Sequence, residues 1–346
     1  MVARTDRMGD MILTAPLFGA VKQHFPNARL SVLASRANAQ IAALLPAIDA
    51  IEIDGIEARD SGWYGTVALA RRLRRLKIDA ILFANAKRRL AASAWLARIP
   101  MRVGSGRRWY SVLYTARLPG RRYEHEIDWT LRLLQPLGVE AASVPPPRCP
   151  VAESDRRAVN ELLTAEGVRA EAMIALVHPG NSGNALTASE SWYARLGDEL
   201  SAAGYMVVLT GIEGDRQLAA RIAAEMRHKP VNLTGRLSVG QLAALCAQCA
   251  VCVGSSTGPT HLAAAVGAPT IGLYSPLVKQ HRWLPRGPAV QVLRPEVGMS
   301  CPTCLGPRCP FFNCMNLIEH ERVVAAARAL HTQPRSMPAS VDTASA

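Results

Sequence analysis

The chain has 346 residues, enough for two domains with separate cores, and its 49% hydrophobic content excludes a disordered polypeptide. No apolar run approaches the roughly 18 to 20 residues of a membrane-spanning helix. The formal charge of +13 is uneven, with 23 Lys/Arg against 12 Asp/Glu in residues 1–150, and favours an anionic partner over a cationic one, unless it is only a solvated helix face.

In chain order, Met1–Ala3 is short for a strand, yet Arg4 to Asp10 reads as a strand-to-helix turn in which Gly9 permits a tight backbone. Asp6 and Asp10 fall where a secretion signal needs an apolar core, so a cytoplasmic protein is expected. Strands are predicted over 29–34, 50–53 and 80–83, and helices over 38–45, 67–76 and 88–96. This alternation argues a parallel, doubly wound sheet. Residues 144–150 hold four prolines and read as an extended linker. A second series follows: a helix over 154–167, strands from 173 and 207, a short one at 231, and a helix after Ser238. An amphipathic helix over 318–330 ends the ordered part, and a disordered tail is expected from 332 to 346. The G-x-G-x-x-G of dinucleotide enzymes is absent.

The densest chemistry lies between Cys249 and Pro276, which reads strand, loop of small hydroxylated residues, helix, strand. Such a loop aims backbone N–H groups, hydroxyls and a helix dipole at one point, which suits a diphosphate; it is equally the shape of an ordinary βα turn. Here the residues carry a resemblance. VGSSTGPTHLAAAVGAPTIGLYSP, residues 253–276, is similar to the signature of glycosyltransferase family 9, the ADP-heptose:lipopolysaccharide heptosyltransferases, with Ser256 where the family usually has Asp.

The resemblance implies an α/β protein of GT-B architecture, two Rossmann-like domains facing a central cleft. An acceptor domain would span 1–150 and a donor domain 151–331, its last helix returning to the first. The family opens on a longer apolar run, so a truncated start is expected here. The implied activity is inverting, metal-independent transfer of a heptose or related sugar from a nucleotide-sugar, ADP-heptose, to a lipopolysaccharide core or similar glycan. No cofactor is required. Asp10 would be the general base that takes the acceptor hydroxyl's proton; the alternative is that it caps a helix. Gly9, Arg107, Arg108 and His125 would meet the acceptor. His178, Gly180, Ser182, Asn184, Thr210, Gly211, Glu213 (or Asp215), Ser256, Thr257, Gly258 and His261 would hold the donor. The implied partners are the nucleotide-sugar, an anionic glycolipid and the inner membrane surface; nucleic acid is not expected, since charge alone supports it.

Two departures pull against this reading. Glu190 stands where the family usually has a Lys two residues before the Trp192 equivalent, and Ser256 replaces the signature Asp. Together they leave open a binding protein on the same scaffold, or a transferase with a changed donor. Finally, Cys301, Cys304, Cys309 and Cys314 form C-x2-C-x4-C-x4-C, a spacing that fits structural zinc in a reduced compartment, or simply four thiols. Cys246, Cys249 and Cys252 are expected in the core.

Overall fold

A computed structural model describes residues 1–332 apart from 56–61, 86, 122, 141–144, 182, 184, 277 and 298–312, with 278–280 described in backbone only. The chain divides into two compact units, Met1–Pro145 and Pro146–Ala346.

The first unit is one parallel sheet of six strands: β1 (Val2–Arg4), β2 (Ser31–Ala34), β3 (Ala50–Ile53), β4 (Ala80–Phe83), β5 (Met101–Ser105) and β6 (Ala116–Leu118). Their order is β3-β2-β1-β4-β5-β6, the doubly wound arrangement in which strand order reverses between β1 and β4. The three residues of β1 suffice for the central strand because each is buried and pairs with β2, Val2 to Val32 through Arg4 to Ala34. The helices are α1 (Met8–His24), α2 (Arg36–Ala42), α3 (Trp63–Arg75), α4 (Arg88–Leu96) and α5 (Glu126–Arg132). The α1 helix starts at Met8 and runs through Pro16. That proline removes one main-chain bond. The helix is buried from Met11 to Phe18 and packs on α2 and α5, and this burial outweighs the loss. On the other face, Leu69 and Leu73 of α3 and Leu90 and Ala94 of α4 share a core with Phe83 and Tyr114.

The second unit repeats the plan. Its strands are β7 (Ile174–His178), β8 (Met206–Leu209), β9 (Val231–Asn232), β10 (Val251–Ser255), β11 (Thr270–Leu273) and β12 (Val290–Leu293), ordered β12-β11-β10-β7-β8-β9 and parallel throughout. Read from β7, this is the order of the first unit. The helices are α6 (Glu153–Ala165), α7 (Glu190–Ala202), α8 (Arg216–Glu225), α9 (Val239–Gln248), α10 (Gly258–Ala265) and α11 (His320–His331). The Cys149 N–H donates to the Ala265 carbonyl, fastening the end of the proline-rich segment to this unit. The α11 helix packs Val323, Ala327 and Leu330 into the core of the second unit, beside α7 and β10–β12. The expected tail beyond Thr332 lies outside the described residues. No helix among the described residues is long and apolar enough to cross a membrane.

Candidate functional site

In doubly wound sheets ligands gather outside the strand carboxyl ends at the reversal of strand order, and each unit concentrates its polar side chains there. In the first unit the centre is Arg4, the last residue of β1 and 1% exposed. Its guanidinium meets Asp6 (2.9 Å), Asp10 (2.9 Å) and Glu126 (2.7 Å). Burial alone pulls the guanidinium down, but Glu126, Asp6 and Asp10 together raise it above its ordinary value. Asp10 and Glu126 lie in the first turns of α1 and α5, where the helix dipole favours carboxylates. Across the strand reversal, the Thr5 N–H donates to Asn85 Oδ1 (3.3 Å) and Lys87 Nζ donates to the Thr5 carbonyl (3.3 Å).

Asp10 is therefore the third residue of a helix whose dipole acts on its carboxylate, and its side chain stays 14% exposed. Gly9 is buried beneath it. His125 is buried and caps α5, its Nδ1 accepting from the Ile127 N–H (3.2 Å). Arg107 and Arg108 are exposed beyond β5, two strands from β1. Sequence reasoning missed Glu126 and Arg4. Their signal was charge out of place: an Arg ending an apolar strand, and an acid opening an apolar helix.

In the second unit His178 ends β7 and is buried, with Nδ1 3.1 Å from Thr210 Oγ1 just past β8. Burial pushes the imidazole down to about 4, although Asp215 pulls it the other way, so it is neutral at pH 7. The sign for stability follows. Unfolded His178 titrates near its ordinary 6.5, so its contribution is complete above that value and is lost as pH falls toward 4. Over that window the loss is on the order of 3 kcal/mol. Urea unfolding at a series of pH values should show His178→Asn less acid-sensitive than wild type; parallel curves for the two would refute the assignment.

Asp215, rather than Glu213, reaches this carboxyl edge. Its carboxylate fills the space above Gly180, and a Cβ on Gly211 would fall 2.8 Å from Asp215 Cβ. Glu213 is exposed and pairs locally with Arg216 (2.6 Å). Ser182 and Asn184 lie outside the described residues. Glu190 opens α7 and forms a two-point ion pair with Arg221 of α8 (2.7 and 2.8 Å), which neutralises the acid that stands at the family's Lys position.

At the carboxyl end of β10, Thr260 Oγ1 donates to the Ser255 carbonyl (2.6 Å), folding the loop under α10. Gly254 is obligatory, because its Cβ would fall 2.6 Å from that hydroxyl. Thr257 precedes α10 without a side-chain cap, and Pro259 occupies the second helical position, so the first turn points its remaining N–H groups outward. His261 is buried on the same turn. Ser256 hydrogen-bonds the phenol of Tyr274, whose pKa burial raises strongly. Arg294, half-buried after β12, is within electrostatic reach of the same phenol. The hydroxyls of Ser255, Thr234 and Ser275 are buried and have no hydrogen-bond partner among the described residues. Buried hydroxyls are normally paired; Ser255 and Ser275 sit at and just beyond the ends of the adjacent strands β10 and β11, and Thr234 lies just past the edge strand β9. A polyhydroxylated, anionic ligand fits that edge.

Of the cysteine loop, Cys314 is described and buried, while Cys301, Cys304 and Cys309 lie outside the described residues. Among the described residues no group of His, Cys, Asp or Glu is arranged to hold a metal. Cys246, Cys249 and Cys252 are core thiols, as expected.

Comparisons with known proteins agree with this geometry. The lipopolysaccharide heptosyltransferase 3 of Escherichia coli (strain K12) is 26% identical over 288 residues, covering 77% of this chain and 79% of that one. The crystal structure of a family 9 glycosyl transferase from Veillonella parvula superposes with a TM-score of 0.83 at 22% identity, covering 95% of this chain and 96% of that one. The Escherichia coli ADP-heptose LPS heptosyltransferase II gives 0.78 at 21% identity, covering 95% and 97%. These likenesses identify the fold of both units as GT-B. The sequence pattern of glycosyltransferase family 9 (heptosyltransferase) matches residues 66–310, most of the chain, and the protein belongs to that family of glycosyltransferases.

Proposed function

We propose that this glycosyltransferase moves a heptose or closely related sugar from ADP-heptose to a lipopolysaccharide core acceptor, with inversion at the anomeric carbon. The observation that carries the reading is Asp10, a partly exposed carboxylate at the strand reversal of the first unit, oriented by a buried arginine. The acceptor hydroxyl oxygen attacks the anomeric carbon, its proton passes to Asp10, and the bond to the nucleotide diphosphate breaks with the electron pair leaving on the phosphate oxygen. The acceptor belongs to the first unit and the nucleotide-sugar to the second.

The first turn of α10 receives the diphosphate, with Thr257 and Gly258 against it. Asp215 takes a ribose hydroxyl. Arg294 supplies the cation that the family's Lys would give. The name of the Escherichia coli heptosyltransferase II supports ADP-heptose as the donor class. The paired Glu190 and the hydrogen-bonded Ser256 favour a retained nucleotide site over a decayed one.

A thermal-shift panel of ADP-, GDP-, UDP- and dTDP-sugars tests the donor, since a ligand that binds only the folded state raises the melting temperature by mass action. ADP-heptose is expected to stabilise by several degrees, and Gly258→Glu to abolish the shift by placing bulk and like charge at the phosphate position. A flat response to every nucleotide would instead favour the scaffold's use as a binding protein. The cysteine spacing supports a structural zinc as a separate feature. If the loop holds zinc rather than four thiols, elemental analysis should find close to one zinc per chain; its absence, with the loop thiols freely titratable, would retire that assignment.

A further inference from the structure

Between residues 62 and 123 the chain carries 15 Lys/Arg and a single acid, Asp79. The same stretch holds exposed large apolar side chains, among them Tyr64 at 90%, Trp109 at 73% and Trp95 at 52%. A basic surface alone needs only solvent, and a lone exposed aromatic needs no explanation. Their coincidence in one layer does.

The layer consists of α3, α4 and the helical turn Trp109–Leu113, which pack side by side on one face of the sheet. On α3, Gly65, Leu69 and Leu73 face inward, so Tyr64, Arg71 and Arg75, at helical spacings of seven and four, share the outer line. On α4, Leu90 and Ala94 face inward, while Arg88 and Trp95, seven apart, share the outer line. Trp109 stands beside them on the third segment, which packs against α4. Arg72 and Arg89 are engaged by Glu52 and Asp54. Arg71, Arg75 and Arg88 are exposed and have no acidic partner among the described residues. This is the composition of surfaces that lie at a bilayer interface, where indole and phenol rings settle at headgroup depth and arginines meet lipid phosphates.

We infer that the outer face of the α3–α4–Trp109 layer docks the protein on an anionic membrane leaflet. The inference deepens the acceptor reading, by holding a lipid-linked acceptor's carrier surface against the first unit, but lipid binding is measurable without any sugar transfer. The full-length protein should sediment with vesicles of phosphatidylglycerol and phosphatidylcholine, less so as salt is raised, and not with phosphatidylcholine alone. Each basic side chain at the surface contributes on the order of fivefold in partitioning. The triple variant Arg71→Glu, Arg75→Glu, Arg88→Glu should therefore lose at least about 100-fold, and Trp95→Ser with Trp109→Ser should weaken binding at constant charge. Both variants should keep the wild-type melting temperature and full turnover of a soluble, lipid-free acceptor. The inference fails if wild type does not bind anionic vesicles, if it binds neutral ones equally, if the charge-reversed variant binds undiminished, or if the surface retains RNA but not lipid. Loss of turnover on the soluble acceptor with lipid binding intact would count against the transfer reading instead.

Discussion

Asp10→Asn is expected to lower sugar transfer by about 10²- to 10⁴-fold, the range associated with losing a positioned general base. The amide keeps the size and one acceptor oxygen of the side chain, so its contact with Arg4 weakens without opening a cavity. Arg4 retains Asp6 and Glu126. Nucleotide affinity should be nearly unchanged, because the proposed donor groups are carried by the other unit. Steady-state transfer and calorimetric nucleotide binding, measured on the same preparation, separate the two effects. Activity above about a tenth of wild type would show that the proton goes elsewhere and that Asp10 serves its helix alone.

The second large effect is on stability. Arg4→Met would leave Asp6, Asp10 and Glu126 converging on an apolar thioether, with Glu126 only 3% exposed. Removing one partner of a buried ion pair commonly costs 3–5 kcal/mol, because the remaining charge stays desolvated. Three carboxylates at one point place Arg4 at or beyond the top of that range, against a typical total of about 5–15 kcal/mol. Calorimetry should show the first unit melting lower by about 10 °C or more. Arg4→Met together with Glu126→Met should recover part of the loss, since it removes the most buried of the stranded charges. A single variant melting within a degree or two of wild type would mean that these carboxylates find water or other partners.

The sheets were legible because the strand segments are short apolar runs bounded by turn residues, and β3, β4 and α4 fall where the sequence predicts them. The start of α1 was not. Pro16 argues against a helix passing through it, and only the packing against α2 and α5 shows why the chain tolerates it. At the site, the 253–276 signature located the β10–α10 loop from sequence. The direction of side chains was less readable. Glu213 and Asp215 are equivalent acids in the sequence, and only the fold separates them: Asp215 lies over Gly180, while Glu213 is exposed beside Arg216. Glu190 looks like a misplaced charge until Arg221, 31 residues away, is seen to pair with it. The role of Arg4 was hidden for the same reason: its three partners meet only when α1 and α5 pack together.

The two sheets also differ in a way that can be watched in solution. Of the six tryptophans, Trp63, Trp95, Trp109 and Trp283 are exposed. Trp129 of the first unit and Trp192 of the second are buried, each donating its indole N–H to a backbone carbonyl, that of Ala84 at 3.0 Å and that of Ile318 at 2.9 Å. Each unit thus contains one indole in a dry, hydrogen-bonded setting, whose emission lies to the blue of the solvent-facing four. Trp192 further stacks near His320 at the start of α11, with centroids 4.8 Å apart, so its emission reports the seating of the last helix as well as the folding of its sheet. Paired Trp→Phe replacements would resolve the two unfolding events optically, unit by unit, within a single chain.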